Sequence, residues 1–118
     1  MTTVTMTALL KHKLFGDYSR GLRPLQYRQN EWKELTRGKE RAARLIAKSI
    51  LGVPSAHHGD QDHPMWCFSF EDGGLLTVFI HRGNNQVQLS ARGEAESAGL
   101  REAVDFLLAE FGARLRQL

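Results

Sequence analysis

A single cysteine in 118 residues excludes an internal disulfide and any zinc site built from cysteines. No apolar run approaches the roughly 18 residues that a membrane span requires. The opening stretch MTTVTMTALLKHKLFGD has no charged region ahead of its short apolar patch and no small-residue cleavage site, so it is not read as an export signal. These absences point to a reducing, cytoplasmic setting with no membrane partner. A glycine-rich nucleotide loop, a serine elbow and paired catalytic carboxylates are all missing as well. No cofactor is expected, and no motif names an enzyme. Repeats and low-complexity tracts are also absent.

What is present fits one domain with one core. Net charge is +3, but its layout is uneven. From Lys11 to Lys48 there are eleven Lys or Arg against four Asp or Glu, and elsewhere five against nine. Such asymmetry suits a polyanion, an acidic partner or a second copy of the chain.

The clearest pattern is WCFSFEDGGLLTVFIHRGNNQVQLSAR, residues 66–92. Side chains two apart share a strand face. Trp66, Phe68 and Phe70, then Leu76, Val78 and Ile80, then Val87, Leu89 and Ala91, give three strands with one apolar face. A three-residue loop Asp72-Gly73-Gly74 would set Phe70 opposite Leu76 and Phe68 opposite Val78. A two-residue loop Gly83-Asn84 would set Ile80 opposite Val87 and Val78 opposite Leu89. The second face is mostly polar and suits water. Phe79 is its exception and, with His81, marks a candidate partner surface.

Helical patterns flank this meander. The first runs from Asn30 as cap to Leu51, ended by Gly52 and Pro54. At about 100° per residue, Leu35, Gly38, Ala42, Leu45, Ile46 and Ser49 form its inner side, a reading that requires Leu45 in the core. The second runs from about Ser97, or from Glu94, to Arg116. Its apolar stripe is Leu100, Ala103, Val104, Leu107, Leu108, Phe111 and Leu115. The expected fold is therefore α+β: a three-stranded antiparallel meander with one face covered by two helices, in the order α-β-β-β-α. Residues 29–118 form this domain, behind an N-terminal arm of residues 1–28 that is either irregular or carries a short helix near Ala8–Phe15.

Lys33, Arg37, Arg41, Arg44 and Lys48 fall on the outer side of the first helix within about 80°. Arg20, Arg23 and Arg28, interleaved with Tyr18 and Tyr27, extend the cationic set. This row is the main candidate for binding nucleic acid or an acidic protein, against the plain alternative of a solvated helix face. The loop SAHHGDQDHPM holds His57, His58, Asp60, Asp62 and His63, metal-ligand types at a spacing that matches no standard site. Cys67 has no basic neighbour in sequence and reads as packing. For a nuclease, the candidates are His81, Arg82 and Arg92 with a loop histidine as proton carrier.

The order of elements resembles that of the double-stranded-RNA-binding domain. That family's contact regions are here EDGG and GEAES, acidic where phosphates would sit, so the chain is not assigned to it. The favoured reading is a small non-enzymatic binding or adaptor module that uses the basic helix face. The alternatives are a homodimer joined through Phe79 and strand-edge residues, and a small ribonuclease-type toxin.

Overall fold

The computed structural model describes residues 5–14, 22–58, 63–81, 86–93 and 97–117, with His58 described by its backbone alone. In chain order the elements are α1 (Met6–Leu10), β1 (Lys13–Leu14), β2 (Pro24–Leu25), α2 (Gln29–Thr36), α3 (Glu40–Leu51), β3 (Ala56–His58), β4 (His63–Ser69), β5 (Gly74–His81), β6 (Gln86–Gly93) and α4 (Ala98–Arg116). The protein is α+β with an antiparallel sheet, as its patterning implies. Among the described residues, however, the sheet has six strands rather than three: β4, β5 and β6 form its centre, β1 and β3 both pair with β4, and β2 pairs with β6. The three added strands are too short to show any periodicity of their own.

All nine expected core positions of the meander are buried, with Trp66, Phe68, Leu76 and Val78 at zero exposure. Each such side chain withdrawn from water stabilises the fold by roughly 1.5–3 kcal/mol. The β5–β6 register is the expected one, with Ile80 opposite Val87 and Val78 opposite Leu89. The β4–β5 register differs by two residues, with Phe68 opposite Leu76 and Trp66 opposite Val78. A two-residue shift leaves every side chain on its face. The loop closes one residue early, on Glu71-Asp72-Gly73, with Phe70 N–H donating to Gly74 O at 2.9 Å.

Capping of α4 gives this turn its physical reason. The Asp72 carboxylate accepts from the Ser97 hydroxyl and from Gly99 N–H, and Ser97 Oγ accepts from Leu100 N–H. These bonds, the Ser97 hydroxyl first, hold the Asp72 carboxyl below the ordinary carboxylate range. Gly93 closes the arrangement at φ 108°, where a Cβ would run into Gly73 O, so only glycine fits there.

The second face of the sheet is not uniformly wet. Met65, Cys67, Leu75 and Thr77 are all buried, and the packed Cys67 thiol accepts from the Thr77 hydroxyl at 3.9 Å. The N-terminal helix covers Met6–Leu10 rather than Ala8–Phe15, because Lys13–Leu14 extend as β1; Thr5 caps it, accepting from Ala8 N–H at 3.1 Å, and it buries Leu9.

The first long helix departs most from expectation. It is two helices, α2 and α3, separated where Arg37 turns extended and Gly38 takes φ 73°. An angular wheel drawn through residue 38 therefore loses its phase. Leu45 is 62% exposed, while Ala43, Ile46, Ala47, Ile50 and Leu51 face the core. Nor does Asn30 cap the first helix. Arg28 occupies that position in the left-handed region at φ 58°, without a side-chain cap.

Candidate functional site

Strand pairing along the sheet's two outer borders places the site. Odd-numbered residues of β4 turn their backbone groups away from β5, and distant segments meet them. Ser55 N–H donates to Met65 O at 2.8 Å, Cys67 N–H to Ser55 Oγ at 2.9 Å, and Ser69 N–H to His12 O at 3.0 Å. This border is closed along its length.

On β6, Gly93 N–H donates to Arg23 O at 2.9 Å, so here too the odd residues face outward, because the direction alternates along a strand. Strand β2 pairs only with Ala91 and Arg92. Further along, the Trp32 indole N–H donates to Val87 O at 2.8 Å. Among the described residues, the N–H of Val87 and both backbone groups of Leu89 have no partner on that side.

Helix α2 runs beside this open border and makes it a groove of about 490 Å³. Trp32 and Gln29 line its inner part, Lys33 and Arg37 its cationic wall, and Gln86 and Gln88 its strand side. Trp32 is held from behind by Phe111, edge-on at 4.8 Å between ring centres. Gln29 donates its side-chain N–H to Leu25 O at 2.9 Å, while its Oε1 is buried without a partner among the described residues. The groove thus contains an acceptor, outward donors and acceptors of a strand, and two cations against the one carboxylate of Glu40. That set is chemically suited to another extended backbone bearing carboxylates.

The cationic residues singled out in the sequence do not form one surface. Lys33 and Arg37 belong to the groove, and Arg37 makes an exposed 2.8 Å ion pair with Glu34. Arg28 is engaged internally: its guanidinium meets Glu31 and Asp105, each at 2.6 Å, and ties the start of α2 to α4. Those carboxylates raise its pKa, Glu31 first, and the hydrogen bonds it donates to Glu31 lower that carboxyl's pKa. Tyr27 donates to the same Asp105 at 3.0 Å, and its pKa is raised by burial and then by that bond. Arg41 lies beside the exposed Leu45. Arg44 and Lys48 border a separate depression of about 550 Å³ with His57, Pro54 and Pro64. Arg23 is exposed near β2, and Arg20 lies outside the described residues. The break at Gly38 is the physical reason the row divides.

The His/Asp loop is divided as well. Asp60 and Asp62 lie outside the described residues. His57 pairs with Pro64, and His58 with His63, so alternation puts His57 and His63 on opposite faces. Among the described residues, no three His, Cys, Asp or Glu side chains gather as a metal-binding group. Of the nuclease candidates, His81 stacks on the loop histidine His63 at 4.9 Å, whereas Arg92 is remote from both. His81 and Arg92 sit at opposite ends of the meander, Arg92 donates to Leu22 O at 3.2 Å, and Arg82 lies outside the described residues. Phe79 and His81 do share the second face, within 6.2 Å of each other.

Sequence reasoning missed the groove because a strand's side-chain pattern is the same at a border as at the centre. No protein-family model, curated protein or solved structure matches the chain. No helix among the described residues is long and apolar enough to cross a membrane.

Proposed function

We propose that the protein is a non-enzymatic binding module that takes an extended, acidic segment of a protein partner as a further strand on β6. The observation that carries this reading is the open backbone at Val87 and Leu89 beside Lys33 and Arg37. Backbone bonds to the strand supply affinity, and the cationic wall selects for carboxylates. The Arg37–Glu34 pair opposes this little, since exposed pairs contribute only about 0–1 kcal/mol.

The test is fluorescence anisotropy with a labelled, capped peptide of alternating glutamate and valine. Saturable binding is expected, with the Leu89 amide gaining protection from exchange. Lys33→Glu with Arg37→Glu should weaken it at least about ten-fold, equivalent to about 1.4 kcal/mol, and leave the thermal transition in place. Equal binding by the double variant, or an unprotected Leu89 amide in the complex, overturns the reading.

A second reading rests on the same border. An antiparallel strand can pair with its own copy across a two-fold axis, which would make β6 the seam of a homodimer. Light scattering on a sizing column separates the two readings, a dimer of twice the 13.3 kDa chain mass favouring the second.

A further inference from the structure

The second face of the sheet carries a pair of histidines that the groove does not use. The β4–β5 ladder ends with Met65 opposite Phe79, and the same register continued by two residues would bring His63 opposite His81. Their rings stack at 4.9 Å between centres with a 26° tilt. Phe79 stands against both, at 5.3 Å from His63 and 6.2 Å from His81. On the other side of β4, the backbone of His58 pairs with that of His63. The Nδ1 of His81 is withdrawn from water and, among the described residues, has no hydrogen-bond partner.

A stacked imidazole pair beside a phenyl ring is ordinary packing until that nitrogen is considered. Leaving a buried polar atom without a partner costs about 1–3 kcal/mol, and such atoms call for an explanation. We infer that His63 and His81 form a two-histidine site for a divalent transition metal of the imidazole-preferring class: zinc, nickel or copper. Directly opposed residues on antiparallel strands have Cβ atoms about 4.5–5.5 Å apart. Two imidazoles with that separation can converge on one ion at metal–nitrogen distances of about 2.0–2.1 Å. Coordination through Nδ1 of His81 supplies the partner this nitrogen lacks. Water, or a donor from a bound partner, completes the coordination sphere, as in open metal sites. Magnesium and calcium, which prefer oxygen ligands, are excluded by the donor set.

The experiment titrates zinc chloride into the untagged full chain by isothermal calorimetry. One ion per chain is expected, with affinity falling at least about ten-fold in His63→Ala and in His81→Phe. His57→Ala is the control, because its side chain belongs to the opposite face, and it should bind as the wild type does. Nitrogen-15 spectra of the wild-type imidazoles supply a readout that needs no variant: ring nitrogens of His63 and His81 should shift on adding zinc, and those of His57 should not. Absence of binding, binding that survives both substitutions, or shifts confined to other histidines overturns the inference.

Discussion

The outer borders of β4 and β6 have the same backbone chemistry but are treated differently by the rest of the chain. Along β4, Ser55 and His12 bring bonds from two segments that both precede it in sequence, and strands β3 and β1 occupy the border. Along β6, among the described residues, only Ala91 and Arg92 receive a strand, Gly93 N–H reaches Arg23 O, and one indole N–H reaches Val87. An unpaired strand border is a template for another chain unless it is covered. The contrast teaches that covering a border is done residue by residue. The part left uncovered here is also the part that α2 walls with Lys33 and Arg37.

Amide exchange should give the largest effect in this contrast. Cys67 and Ser69 should exchange at least about a hundred-fold more slowly than Val87 and Leu89, since the former amides open only with larger unfolding events. Measured by NMR on the free protein, equal rates at the two borders would remove the distinction itself. Next in size is Ser55→Ala. It strands the buried Cys67 N–H, and a loss of about 1–3 kcal/mol in chemical denaturation is expected; a cost near zero would mean that the closed border does not depend on that bond. Smallest is Trp32→Phe, which keeps an aromatic ring against Phe111 but removes the bond to Val87 O. It should cost about 1 kcal/mol and, by releasing a carbonyl on the open border, should not weaken the acidic peptide. Weaker peptide binding by this variant would place the peptide elsewhere.

Much of the architecture is legible from residue order. The stripe from Leu100 to Leu115 and the cap at Ser97 mark α4 before any contact is known, and both are present. The alternation from Trp66 to Ala91 assigns the buried face correctly, and survives a register shift of two residues because strand faces repeat every two. The interruption at Gly38 was not legible. A glycine inside a helical pattern is tolerated in many helices, and only its positive φ here reveals the break. From that one angle follow the exposure of Leu45 and the division of the cationic row. Arg28 teaches the same lesson at longer range, since its partner Asp105 lies 77 residues away.

Residue order by itself determined which stretches extend, which coil and which of their sides avoid water, because those properties depend on neighbours within a few positions. Tertiary structure alone decided which border of the sheet stays open, which arginines meet carboxylates and which histidines face each other. These depend on pairings between distant segments, whose geometry is set when the chain packs.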